Sequence, residues 1–222
     1  MLQYLSILTQ GKQSLTMFSG IIHQIARVKS FQNNILSIES DLNPKLGDSI
    51  AINGACLTAI ESSKTHFSVE LSQKTQNSVA LENYKDLVHV EPALKADASL
   101  DGHFVQGHID AIGVIEKIIH HSNQVDFFIS ASKETLLLCV EQGSIAIDGV
   151  SLTLSKVEEK GFWLTIIPYT LENTLFKTYK LKRRVNIETD MLVRSVASIL
   201  KKTKGFEKNF SWNDADALTL GY

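Results

Sequence analysis

The chain has 222 residues, 44% of them hydrophobic, with 22 basic and 24 acidic side chains and a formal net charge of −2. Acids and bases are interspersed, which leaves no electrostatic footprint for nucleic acid or an anionic membrane. The two cysteines, Cys56 and Cys139, form no CxxC pair or ligand-spaced cluster with His, which suits a reducing, cytoplasmic setting and argues against disulfides and zinc.

Residues 1–16 hold one Lys, no Arg and a short apolar stretch at 5–8, too short for a secretory core, so they read as an extension outside the fold. No apolar run approaches the roughly 20 residues that a membrane span needs. From Gly20 onward, alternating or β-branched segments predict strands at 20–28, 35–39, 49–52, 57–61, 66–71 and 87–90, with counterparts in the second half. Asn53-Gly54 and Asp148-Gly149 are tight-turn dipeptides, which set Cys56 and Ser151 at the start of a strand and at a barrel mouth. Helix is predicted over 132–140 and 190–204. The second places Leu192, Val193, Val196, Ile199 and Leu200 on one face and Arg194, Lys201, Lys202 and Lys204 elsewhere, with Gly205 as a stop. That helix either packs on its own barrel or serves self-association, and its position after both modules favours the second. The tail at 206–222 has no period.

The chain also repeats itself. Ser49-Ile-Ala-Ile-Asn-Gly-Ala-Cys-Leu-Thr58 returns as Ser144-Ile-Ala-Ile-Asp-Gly-Val-Ser-Leu-Thr153, so Gly54 and Gly149 stand 95 positions apart. Phe67 matches Phe162, Thr75 matches Thr170, Tyr84-Lys85 matches Tyr179-Lys180, and after a two-residue indel Val88-His-Val-Glu91 matches Val185-Asn-Ile-Glu188. A long period repeated once predicts a duplicated all-β module of about six strands, not a solenoid. The spans expected are 17–103 and 104–190 for the modules, 191–205 for the helix and 206–222 for the tail. Two similar pockets most simply bind two similar molecules. The copies differ where it matters: Cys56 is replaced by Ser151, and Ile21 by His108.

Several of these segments carry a resemblance. Met17-Phe-Ser-Gly-Ile-Ile22, Gly47 to Thr58, Gly102-His-Phe-Val-Gln-Gly-His-Ile-Asp110, Gly143 to Thr153 and Ile167-Pro-Tyr-Thr-Leu-Glu-Asn-Thr174 resemble, in order and spacing, the motifs of the riboflavin synthase family, alpha-subunit type. The resemblance implies two six-stranded antiparallel barrels in tandem, with a C-terminal helix that builds a homotrimer. It also implies a lumazine site in each barrel, an active site shared between chains, and lumazine synthase as a partner. The implied reaction is a dismutation. Two molecules of 6,7-dimethyl-8-ribityllumazine exchange a four-carbon unit and give riboflavin and 5-amino-6-ribitylaminouracil, with no metal or redox cofactor.

A base must then remove a proton from the acidic ring methyl, and a nucleophile must add to the partner ring. The matching positions are His108, Ser151, Cys56 and Asp190 for catalysis, with Cys56 and Ser151 both open as the nucleophile. The implied binding positions in the first copy are Gly20, Ile21 and Ile22, then Cys56, Leu57 and Thr58, then Glu70, Leu71, Ser72, Gln73, Lys74 and Thr75. Those in the second are Gly107, His108 and Ile109, then Gln142, then Ser151, Leu152 and Thr153, then Thr165, Ile166, Ile167, Pro168, Tyr169 and Thr170. Lys74, Gln142 and Tyr169 depart from the residues common there. His103 and His108 lack a third ligand for zinc, and His108 is the expected acid–base group. A non-catalytic lumazine- or flavin-binding protein of the same fold is the alternative; intact His108, Ser151 and Thr153 favour the enzyme.

Overall fold

The computed structural model describes residues 16–207. Most of the expected extension at 1–16 and of the expected tail at 206–222 lies outside these residues. Six antiparallel strands, β1 (Gln24–Gln32), β2 (Ile35–Glu39), β3 (Ser49–Ile52), β4 (Ala55–Ser62), β5 (His66–Glu70) and β6 (Leu87–Pro92), close into a barrel in the order β1-β2-β5-β4-β3-β6. Its repeat, β7 (Ala111–His120), β8 (Val125–Ser130), β9 (Ser144–Ile147), β10 (Val150–Glu158), β11 (Gly161–Ile166) and β12 (Arg184–Thr189), closes in the same order. Closure leaves no strand edge unpaired. Leu36, Ile38, Phe67, Val69, Val88 and Val90 fill the first core, and Ile129, Ile147, Phe162, Leu164, Val185 and Ile187 the second.

The structure corrects the sequence expectations at four places. The first strand begins at Gln24 and not at Gly20, because Ser19 and Gly20 are spent on other partners, described below. The helix expected over 132–140 shrinks to α2 (Lys133–Leu136), which Ser132 caps by accepting from Thr135 N. Two short helices went unforeseen, α1 (Gln73–Ser78) and α3 (Pro168–Asn173), each following an inner strand of its barrel. The last helix, α4 (Met191–Glu207), runs through Gly205 instead of stopping there. A glycine inside a helix costs about 1 kcal/mol, which is too little to end it.

The barrels meet about a local twofold axis at their β3–β4 and β9–β10 turns. Asn53 (φ 45°), Gly54 (φ 80°), Asp148 (φ 45°) and Gly149 (φ 84°) all adopt the left-handed conformation of a type I′ hairpin. The turns stand back to back: a Cβ on Gly54 would lie 2.6 Å from Gly149 N, and one on Gly149 would lie 2.8 Å from Gly54 N. Buried side chains then lock each turn to the opposite barrel. His89 Nδ1 donates to Asp148 O at 2.9 Å, while His89 Nε2 accepts from Leu175 N at 2.7 Å. At the symmetric position Asn186 Nδ2 donates to Asn53 O at 2.8 Å, and Asn186 Oδ1 accepts from Ala80 N at 2.7 Å. An imidazole and a carboxamide thus perform one task, since each offers one donor and one acceptor.

Neutral imidazole is required there, and burial pulls the His89 pKa down to about 4. Its contribution is fully present above its unfolded value of 6.5 and is lost as pH falls from 6.5 toward 4. That loss amounts to roughly 3 kcal/mol. His89→Asn, which copies Asn186, should keep the fold and flatten this acid dependence; urea melts at pH 7.0, 5.5 and 4.5 provide the comparison.

Candidate active site

Two short segments cross between the barrels before either barrel's own first strand. Phe18 and Val105 pair as an isolated bridge on the local axis, with Phe18 N donating to Val105 O at 2.7 Å. Beyond it the segments diverge. Gly20 O accepts from Ser151 N at 2.7 Å on β10, and Gly107 O accepts from Cys56 N at 2.9 Å on β4. Each segment is tethered by its own barrel. Glu91 of β6 accepts from Ser19 N (2.8 Å), Ser19 Oγ (3.0 Å) and Gly20 N (3.2 Å). Glu188 of β12 accepts from Gln106 N (2.7 Å), Gly107 N (2.9 Å) and His108 N (3.1 Å). Burial pushes both carboxyls up to about 7, against the pull of their N–H donors.

Along β10, Val150 and Leu154 turn into the core while Ser151 and Thr153 face the outer wall of the barrel. A cavity of about 360 Å³ opens on that wall, lined by Ser144, Ser151, Thr153, Thr165, Ile167 and Thr170, with Ile21 closing one side. An adjoining cavity of about 330 Å³ shares Ile21, Ser151 and Thr170 and extends to Tyr169. Hydroxyls beside a few aliphatic side chains suit a ligand that offers several hydrogen-bonding groups.

Ser151 carries the sharpest chemistry in this wall. Its Oγ lies 2.7 Å from His103 Nδ1, while His103 Nε2 is buried without a hydrogen-bond partner. Burial lowers the His103 pKa, and the Asp190 charge opposes this. The imidazole is therefore neutral near pH 7 and able to accept the serine proton. Asp190 itself caps α4, its Oδ1 accepting from Leu192 N at 2.7 Å. The sequence expectation placed His108 and Ser151 together in the second barrel as site candidates; the structure brings His103 within hydrogen-bond distance of Ser151. His108 is exposed and follows Gly107, whose backbone lies against Cys56 of the first barrel.

The first barrel repeats the wall with different chemistry. Cys56 and Thr58 face outward from β4, whereas Leu57 and Leu71 belong to the core and are structural. Burial pushes the Cys56 thiol up, so it rests as a thiol and not as a thiolate. Ser72 caps α1 by accepting from Thr75 N at 3.1 Å, with Gln73 and Lys74 between them, and Glu70 ends β5 just before. Gln142 takes a left-handed φ of 64° in the turn before β9 and stands outside both cavity linings. Ile22, Ile109 and Leu152 pack against the cores, and Pro168 opens α3. A further cavity of about 690 Å³ lies between Met17, His23, the stretch at 42–50 and that at 92–95, and none of the expected site residues lines it. Among the described residues no group of three or more His, Cys, Asp or Glu is placed to hold a metal ion. No helix among them is long and apolar enough to cross a membrane.

Sequence reasoning missed Ser144, Glu91, Glu188 and Arg194, and undervalued His103. The signal for Ser144 and the two glutamates was present, because the repeat aligns Ser144 with Ser49 and Glu188 with Glu91.

Tandem barrels of one topology, with a cavity on the outer wall of the second, define a duplicated domain with a ligand-sized site. The lumazine binding domain model matches the chain twice, over residues 19–93 and 106–190. Riboflavin synthase of Bacillus amyloliquefaciens is 32% identical over 210 residues, covering 90% of this chain and 97% of that protein. Riboflavin synthase of Chlamydia pneumoniae is 35% identical over 196 residues, covering 84% and 96%. The chain belongs to the riboflavin synthase family. Crystal structures of LumP complexed with 6,7-dimethyl-8-(1'-D-ribityl) lumazine and with riboflavin share the fold, at TM-scores of 0.66 and 0.68 and identities of 17% and 18%; each covers 78% of this chain and 99% of LumP.

The crossing glycines leave no room for a side chain. Gly20 and Gly107 have φ of +75° and +76°, and an added Cβ would lie 2.7 Å from Ser151 Cβ or 2.5 Å from Cys56 Cβ. Gly20→Ala and Gly107→Ala should each destabilise the chain by about 3 kcal/mol through left-handed strain plus overpacking. Urea unfolding read by circular dichroism measures this.

Proposed function

We infer that the chain works as a riboflavin synthase, a transferase that converts two molecules of 6,7-dimethyl-8-ribityllumazine into riboflavin and 5-amino-6-ribitylaminouracil. Identical substrates in donor and acceptor roles need two related pockets whose details differ. Duplication gives the barrels their shared outer wall, and divergence gives one wall Cys56 and the other Ser151.

The observation that carries the chemistry is the 2.7 Å contact between Ser151 Oγ and His103 Nδ1. In the tautomer with the proton on Nε2, Nδ1 accepts the serine proton as Oγ adds to an electron-poor ring carbon of the lumazine. The same pair works in reverse when the adduct collapses and the proton returns to oxygen. Cys56 and His108 act at the other wall, where a resting thiol suits ligand contact better than attack. Thr153, Thr165 and Thr170 orient the polar edge of the ligand, and Thr58 and Thr75 match Thr153 and Thr170 at the first site.

Assembly belongs to the same reading. Leu192, Val196, Ile199 and Leu200 on α4 are each more than half exposed. This uncovered stripe supports a homotrimer held by α4, with each active site formed between the first barrel of one chain and the second of its neighbour. Supply of substrate by a docked lumazine synthase, and a cytoplasmic setting, rest on the family resemblance and the cysteine pattern.

Purified protein should form riboflavin from the dimethyl lumazine in the presence of chelator and without nicotinamide. Tight binding with no product would instead describe a carrier of the same fold. His103→Ala and Ser151→Ala should each lower kcat by roughly 100-fold or more. The double variant should fall little further, because the two groups act as a unit. Val196→Asp should reduce the mass seen by light scattering to that of a single chain.

A further inference from the structure

The helix that carries the uncovered apolar stripe also reaches, through one side chain, the segment that lies against the first barrel's wall. Arg194 turns away from the stripe and is mostly buried. Its Nη1 binds Asp110 Oδ2 and donates to Thr189 O at 2.6 Å. Its Nη2 donates to Gln106 Oε1 at 2.8 Å and lies 3.5 Å from Glu188 Oε1. The guanidinium therefore grips both ends of the segment from Gln106 to Asp110. His108 sits in the middle of that segment, and Gly107 within it packs on Cys56. In the first copy the corresponding carboxylate, Glu91, holds its segment through Ser19 Oγ instead, and no arginine joins it among the described residues.

We propose that Arg194 is a positioning residue, which ties the docking of α4 to the placement of Gly107 over Cys56 and of His108 beside it. This deepens the synthase reading and rests on it for the effect on turnover. Arg194 touches none of the walls where substrate would lie. It acts by holding Gln106 and Asp110 and by keeping Glu188 ionised, so that one carboxylate can receive three backbone N–H groups. A planar fork is suited to this in a way an ammonium is not, because it reaches two partners on each side at once. The charged groups facing Glu188 are Arg194 from α4 and Asp110 from the segment before β7; the Cys56 thiol faces it from β4. Arg194 favours the carboxylate, and Asp110 opposes it. With Arg194 removed, Glu188 takes up its proton at a higher pH, and the segment loses part of its tether as that happens.

The test uses the full chain and two independent readouts. The first is the rate at which iodoacetamide alkylates Cys56, followed by peptide mass spectrometry with Cys139 as internal reference. Arg194→Gln should label Cys56 severalfold faster than wild type, and Arg194→Lys less so. The second readout is the pH profile of kcat. Arg194→Gln should lower kcat about 10- to 100-fold with KM little changed, and should move the acid limb to higher pH. Arg194→Lys should recover part of the acid limb, because it keeps the charge. Cys56 labelling in Arg194→Gln no faster than in wild type would overturn the proposal. So would equal losses in the Gln and Lys variants with an unmoved acid limb. A wild-type protein without turnover would count against the synthase reading alone, because the labelling comparison needs no catalysis.

Discussion

The contact between the two hairpin turns fixes the rest of the molecule. Gly54 and Gly149 approach so closely that neither tolerates a Cβ, and the buried His89 and Asn186 side chains fasten each turn carbonyl to the opposite barrel. Strands β4 and β10 start from these turns. The first outward positions on them, Cys56 and Ser151, are therefore held at a set place relative to the other barrel. The crossing segments at 18–20 and 105–107 can reach those positions only because the axis passes between them.

The result is an exchange. Each segment is anchored by its own barrel's glutamate and laid against the other barrel's wall. Neither wall belongs wholly to one repeat: Ile21 closes the wall that carries Ser151, and Gly107 lies on the wall that carries Cys56. Divergence within this frame has been small in residues and large in chemistry. A buried imidazole contacts Ser151, while a desolvated thiol occupies the equivalent place in the first copy. Arg194 adds a third asymmetry by linking one of the two segments to the terminal helix.

Much of the fold was legible in the sequence. The 95-residue repeat gave the duplication, the alternation gave the strands, and the two Asx-Gly dipeptides gave the turns. α1 and α3 escaped because six-residue helices leave too short a period to see, and α4 passed its glycine because a single Gly costs little in a helix. The residues of the candidate wall were named from the sequence by type, but their placement was not. Sequence order sets His108 in the second repeat, yet its segment crosses to the first barrel, and no local pattern records a crossing. His103 was set aside because its importance comes from Ser151, 48 positions away. Glu91 and Glu188 appeared only as an alignment match, since a carboxylate that accepts several backbone N–H groups leaves no mark in composition.

The central claim is that one chain holds two related but unequal ligand sites, one on each outer wall. Titration calorimetry of the full-length protein with riboflavin tests it most directly, run beside Cys56→Trp and Ser151→Trp, which fill one wall each. Two riboflavin molecules per wild-type chain with distinct affinities, and one per chain in each variant, is the result that follows from the account. A single site per wild-type chain, or a tryptophan at one wall that removes both, would contradict it.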